Sequence, residues 1–254
     1  MTLLAVERIK LFTTRSPWWS TIAALALTIG FAALMAGTSD ETAPMNIAAT
    51  QFGANFGMVV VMVMAALAIT TEYRFSTIRA TFQAIPNRTA ALLAKTVVVA
   101  ALAGIIGLLS AFGSWGIAKL MSPEQDLAIN TAYEWRAVAG VGLVFAIAAI
   151  AAVSVGILVR HSAGAISLVL IYSQLVESLI LLIPKVGEKV HPWMPFNMAQ
   201  HFLTGNPDLS DRPVQAGPGL TDVTIAPWPA LGYFAGFAIL LLVISLVVAN
   251  KRDA

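Results

Sequence analysis

Six long apolar stretches set the terms for everything this chain can become. They cover residues 18–35, 52–69, 96–118, 137–159, 163–183 and 229–249. Each reaches or approaches the roughly 17–25 residues that cross a bilayer as an α-helix. Runs such as VVVMVMAALAI are apolar on every side. A transmembrane barrel needs short strands of alternating polarity instead. In hydrocarbon the backbone must satisfy its own hydrogen bonds, so helices are the expected form. The expected fold class is an all-α integral membrane protein of six transmembrane helices.

Composition narrows the functions. The 254 residues are 58% hydrophobic and 11% charged, against roughly 25% charged in soluble domains. That excludes an ordinary soluble enzyme, a disordered chain and a nucleic-acid binder. There is no cysteine, which removes disulfides, thiolate zinc sites and cysteine catalysis. No Gly-Lys pair occurs, so the chain has no Walker loop for ATP, and no HExxH or GxSxG is present. His191 and His201 lie near several aspartates, but ordinary surface or interfacial histidines are a better reading than a metal site. His161, beside Arg160, reads as a membrane-edge residue.

Orientation follows from lysine and arginine. With the N-terminus inside, ten cations and three acids fall on the cytoplasmic side, and five cations and nine acids outside. Glu177 alone lies within a span. Six spans then place both termini in the cytoplasm. The first apolar run is longer than a signal-peptide core and reads as an uncleaved anchor.

Little of the chain lies outside the spans. About 16 N-terminal residues form an expected interfacial helix, although their apolar periodicity is weak. The segment 71–86 carries Phe75, Ile78, Phe82 and Ile85 on one helical stripe. Glu72 stands in its expected first turn, and Pro86 ends it. This segment is either a helix lying in the headgroups or a docking helix for a cytoplasmic partner. The longest irregular stretch is 184–228, on the outer side. Within it Pro195 begins a predicted short helix, PFNMAQHFLT, and Gly205 ends it. Residues 206–226 read as a polar loop.

Polar groups inside the spans are the next candidates for function. Gln51, Asn55, Met58 and Met62 fall at i, i+4, i+7 and i+11 of one face; Ser167, Gln174 and Glu177 share another. Amides and acids are costly in lipid and face protein or a water-filled cavity. Helix-to-helix hydrogen bonding is the plainer reading and a cavity wall the functional one. Glu177, seven residues before Pro184, either faces such a cavity or pins the outer end of the fifth span against Lys185 or a backbone amide.

The run Glu7-Arg-Ile-Lys10-Leu-Phe-Thr-Thr-Arg15-Ser-Pro-Trp18-Trp19 resembles the opening of actinobacterial-type ABC-2 permeases. So do Glu72-Tyr73-Arg74, Thr77-Ile78-Arg79-Ala-Thr81, Pro86-Asn-Arg88 and Ala94-Lys95. The six-span layout with a large last external segment is similar too, so the resemblance spans the chain. It implies a permease subunit, not itself an enzyme, that pairs with a second permease copy or homologue. Two cytoplasmic ABC ATPase subunits, carrying ATP and Mg, would drive it. Residues 1–16 would be the connecting helix and 71–86 the coupling helix, with Glu72, Tyr73, Arg74, Phe75, Ile78, Arg79 and Phe82 as the ATPase-coupling residues. The external segment would hold short re-entrant helices. Gln51, Asn55, Met58, Met62, Gln174 and Glu177 would line the substrate pathway. The expected location is a bacterial inner membrane, in contact with its lipids. The expected cargo is hydrophobic or amphipathic: a drug, antibiotic, lipid or peptide. A flippase for lipid or cell-envelope precursors is the nearest alternative. A non-transporting membrane enzyme or a scaffold is more distant, since the cytoplasmic side has only three acids to build a catalytic cluster.

Overall fold

A computed structural model describes residues 3–39, 45–85, 87–205 and 225–252. All regular structure among these residues is helical. In chain order the helices are α1 (Leu3–Thr13), α2 (Arg15–Thr38), α3 (Ile47–Thr50), α4 (Ala54–Arg74), α5 (Thr77–Ala84), α6 (Arg88–Met121), α7 (Ala132–Val159) and α8 (Ser162–Leu170). A π-helical turn, Ile171–Val176, continues α8 into α9 (Glu177–Ile180). Then follow α10 (Gly187–Val190), a 3-10 turn (His191–Trp193), α11 (Pro195–Thr204) and α12 (Pro227–Arg252). Six segments are long and apolar enough to cross a membrane: Arg15–Thr38, Ile47–Arg74, Arg88–Met121, Ala132–Val159, Ser162–Ile180 and Pro227–Lys251. The expected spans are therefore present; five match or extend beyond the expected bounds, and the fifth ends at Ile180, three residues short of its expected end.

Local chemistry explains where the helices begin. Asn87 caps α6 by accepting the Ala90 N–H at 3.0 Å, and Asn46 does the same for α3. Thr131 and Glu134 form a reciprocal capping box at the start of α7. His161 Nδ1 accepts the Gly164 N–H, so this histidine is the cap of α8. Between α7 and α8 the chain turns at Arg160, whose φ of 57° is left-handed.

Helix α7 is the axis of the packing. Its apolar stretch is 72% buried, against 22% for the first, fifth and last spans. Those three spans hold an outer ring whose apolar surfaces require lipid or another protein. Small residues make the central contacts close. A Cβ added at Gly107 of α6 would lie 2.9 Å from Gly142 Cα of α7, and one at Gly57 of α4 would overlap the Thr28 methyl of α2. Such close approach is how helices gain dispersion contacts where no hydrophobic driving force separates protein from lipid.

Both ends of the bundle are marked by tryptophan. Trp18 and Trp19 lie within the first five residues of α2, while Trp135 and Trp228 lie in the first turns of α7 and α12. All four are about half exposed or more. Aromatic residues at both helix ends are the usual signature of a membrane boundary. The two termini share one end, because Lys10 donates to Thr81 and Asn250 donates to Thr89. The opposite end is tied by Trp115 Nε1 donating to the Leu127 carbonyl at 2.8 Å and by Arg136 donating to the Gly205 carbonyl.

Candidate functional site

At the terminal end, four charged side chains from three helices meet. Lys95, two turns into α6, donates to Glu7 Oε2 of α1 at 2.5 Å and to Glu72 Oε1 of α4 at 2.9 Å. Lys10 donates to Glu7 Oε1 at 2.7 Å and lies 3.5 Å from Glu72 Oε1. Two cations thus balance two anions. Their exposures differ: Glu7 is 4% exposed, Lys95 8%, Glu72 13% and Lys10 35%. The inner pair is therefore Lys95 with the two glutamates, and Lys10 closes the rim.

The inner charges are the costly ones to disturb. Breaking a buried pair by removing one partner costs about 3–5 kcal/mol, because the other charge stays behind unpaired. A rim pair contributes about 0–1 kcal/mol. For Glu7, burial alone would raise the carboxyl; the Lys95 charge and the hydrogen bonds from Lys10 and Lys95 outweigh it and hold Glu7 below the ordinary carboxylate value. For Lys10, burial alone would lower the ammonium, but its hydrogen bond to Glu7 and the charge of Glu72 hold it above its ordinary value. Beside the cluster runs a groove of about 670 Å³ between α1, α4, α5 and α6, with Leu11, Met64, Val98 and Val99 among its apolar lining.

The predicted 71–86 helix is two pieces. Helix α4 continues to Arg74, the chain breaks at Phe75 and Ser76, and α5 runs only Thr77–Ala84. Ser76 takes φ 58°, a left-handed value that ends a helix. Glu72 is consequently not in a first turn. It lies near the end of α4, where an acid is unfavourable to the helix dipole, and Lys95 and Lys10 compensate it directly. Pro86 lies outside the described residues. The apolar stripe also divides. Ile78 is 6% exposed and belongs to the chain's own core, and Phe82 packs partly buried against that core. Phe75, outside α5, is 68% exposed. Arg74, Arg79, Ala80 and Gln83 are exposed too, while Tyr73 is half-buried under the Arg160 guanidinium. The face of α5 free for a partner is thus polar and small, beside Phe75, and is not the Ile78–Phe82 stripe.

The candidate pathway residues do not come together. Gln51 donates to the Ala111 carbonyl of α6 at 3.2 Å and to Thr50 Oγ1 at 2.9 Å, the plainer of the two readings. Asn55 is exposed, whereas Met58 and Met62 are buried in the core. In the fifth span Ser167 is exposed, Gln174 is half-buried and Glu177 is buried. The π turn at Ile171–Val176 changes the residues per turn, so spacing at 3.6 no longer keeps these three on one face. Gln174 donates to its neighbour Ser173 and does not reach Glu177.

Glu177 has a defined task. Its two carboxylate oxygens accept the backbone N–H groups of Phe196 at 3.1 Å and Asn197 at 2.9 Å. These are the second and third residues of α11, whose own preceding residue, Met194, offers no side-chain cap. A helix start leaves such N–H groups unpaired, and a carboxylate there is favoured by the dipole. Glu177 is therefore the remote cap of α11. It also lies three residues from the end of the span rather than seven, since the helix stops at Ile180.

The predicted α11 is present with both signals in place: Pro195 first and Gly205 just past the end. Its Met198, Phe202 and Leu203 are buried, with Phe202 against Gly140 of α7 and edge-on to Trp228 of α12. His201 Nε2 sits 2.8 Å from the Ile225 carbonyl oxygen, and burial lowers the pKa of His191. No group of three metal-ligating side chains occurs among the described residues. The predicted 206–226 loop falls largely outside them.

The sequence reading missed the Lys95 cluster. Its signal was a lysine closely followed by the apolar run from Thr96, with Glu72 just past the preceding one. A scan of the chain against protein-family models and a search of curated proteins both gave no match.

Proposed function

We propose that this chain is the transmembrane subunit of an ATP-driven exporter of the ABC-2 type. The observation that carries this reading is the way α5 is held. It is a short helix bridging the ends of two spans. Ile78 anchors it inward, Lys10 ties it to α1 through Thr81, and Phe75, Arg79, Ala80 and Gln83 face outward. A motor that hydrolyses ATP on the cytoplasmic side needs such a handle: exposed enough to be gripped, and rigid enough to pass a displacement to the spans. The Glu7–Lys95–Glu72 cluster joins α1, α4 and α6, so a push on α5 reaches three helices at once.

In this reading the end bearing both termini is cytoplasmic, in agreement with its excess of lysine and arginine. The chain hydrolyses no ATP itself; a separate ATPase binds ATP and Mg. The weakly buried first, fifth and last spans supply the surface for a second permease copy. The cargo is a hydrophobic or amphipathic compound, in keeping with a mostly apolar groove that ends at charged groups. The test is affinity purification of the tagged chain from its native membranes. A one-to-one soluble subunit with a GxxxxGK[ST] sequence and Mg-dependent ATP hydrolysis supports the reading. A chain that purifies without one refutes it.

A further inference from the structure

The fully buried side chains of the fifth span form a line one residue wide. They are Ala165 and Val169 of α8, Ser173 of the π turn and Glu177 of α9. They recur at every fourth position, and none is a large apolar side chain. On the other sides of the span Leu168, Ile171, Leu175 and Leu179 are about half exposed. A segment that buries so little apolar surface is the kind that moves locally. The span is also interrupted within this line. Ile171–Val176 is π-helical, so its backbone bonds reach one residue further than those of the α-helix on either side.

The two sides of the π turn are held differently. Beyond it, Glu177 of α9 accepts the N–H groups at the start of α11. At the other end of α11, Arg136 of α7 donates to the Gly205 carbonyl. Each end of α11 thus meets the charge that its dipole favours. Rings add to the brace. Phe196 of α11 lies edge-on to Phe234 of α12, with centroids 5.3 Å apart, and to Tyr172 of the π turn at 6.2 Å. Tyr172 in turn stacks on Phe237 of α12 at 6.1 Å. Helix α11 therefore ties α7, α9 and α12 together at the end opposite the termini. On the near side of the turn, α8 buries Ala165 and Val169, with Ile166 half-buried beside them. The hydrogen bond at its start, from the Gly164 N–H to His161, stays within its own first turn.

We propose that the fifth span is hinged at the π turn, so that α8 swings while α9 stays with α11 and the adjoining ends of α7 and α12. Glu177 and Arg136 are the clamps, one at each end of α11. The π turn is the joint, since a helix bends where its ladder of backbone bonds changes period. An unbroken α-helix would carry a displacement of α8 into α11, whereas the turn absorbs it. The terminal end of the bundle can then rearrange while the opposite end stays braced. The hinge rests on the helix geometry and holds whatever moves α8.

The test is the distribution of distances between pairs of spin labels on the full chain in nanodiscs, read by pulsed dipolar spectroscopy. The chain has no cysteine of its own, so the labels sit only where they are introduced. Ile105→Cys on α6 is the fixed reference, paired with Leu168→Cys on α8 or with Leu179→Cys on α9; all three positions are exposed. The expected result is two populations of distance for the α8 pair and a single one for the α9 pair. Deleting the exposed Leu175 takes one residue out of the π turn, which restores α-helical spacing without rotating the flanking pieces. The α8 pair should then keep one population. Arg136→Gln, and separately Glu177→Gln, should split the α9 pair by releasing one end of α11. Thermal unfolding of each variant reports whether it is folded, and the two wild-type distributions decide the question without any variant. A single population for the α8 pair in the wild type, or an α9 pair as heterogeneous as the α8 pair, would overturn the hinge. Two populations that persist after the deletion would overturn the π turn as its joint. An α9 pair unchanged by both clamp variants would overturn the roles of Glu177 and Arg136.

Discussion

Lys95 Nζ lies 2.5 Å from the Glu7 carboxylate, a contact between residues 88 apart in the chain. It pins the first helix onto the third span at a depth where neither charge meets water freely. Lys95→Met should cost about 3–5 kcal/mol, since it leaves two buried carboxylates to share the rim Lys10 alone. Lys10→Met, at the rim, should cost about 0–1 kcal/mol. Denaturant titration in detergent ranks the two, and a Lys10 effect as large as that of Lys95 would contradict the division into inner pair and rim.

The same cluster predicts a pH profile. Glu7 is held below its ordinary value of 4.5, so its contribution is present above that value and is lost as pH falls through the folded one. Lys10 is held above its ordinary value of 10.5, so its contribution is present below that and is lost as pH rises through the folded one. The contribution of this cluster to the melting temperature should be flat between these limits. Glu7→Gln should remove most of the acid limb contributed by this site, and an unchanged acid limb would place the titration elsewhere.

Glu177→Gln tests the remote cap. The amide keeps the shape but has one acceptor oxygen where the carboxylate has two, leaving an N–H of Phe196 or Asn197 without its partner. The expected cost is about 1–2 kcal/mol, read as a lower melting temperature. If transport is assayed, the loss should be alike for every cargo. Wild-type stability with loss of cationic cargo alone would instead put Glu177 in the pathway.

Hydropathy alone was enough to read the six spans, because an apolar run of about 20 residues has few other ways to fold. Helix α11 was legible for a different reason, since Pro195 and Gly205 each signal through their own backbone chemistry. The break at Ser76 was not legible: a serine at φ 58° carries no sequence mark of the kind a glycine gives. The fifth span failed for a related reason, as one π turn shifts the register between Ser167 and Glu177 without altering hydropathy. The Lys95 cluster was hidden because its members lie on separate helices, and only tertiary packing brings Glu7 to Glu72 and Lys95.

The orientation is testable without background labelling, because the chain has no cysteine. Glu124→Cys, in the exposed connection after α6, should react with an impermeant thiol reagent in intact cells. Gln83→Cys, on exposed α5, should react only after lysis. Labelling of position 83 from outside would invert the proposed topology.

On the proposed function, an ATPase grips the exposed side of α5 together with Phe75 just before it. The most direct measurement is the ATPase retained when the tagged wild type and Phe75→Asp are purified in parallel from native membranes. Phe75 is 68% exposed and packs in no core, so the variant should insert and melt like wild type. The expected result is a stoichiometric ATP-hydrolysing subunit with the wild type and at least a tenfold loss, about 1.4 kcal/mol, with Phe75→Asp. Undiminished retention in the variant, or no ATPase with either chain, would rule out docking of an ATPase at this end of the bundle.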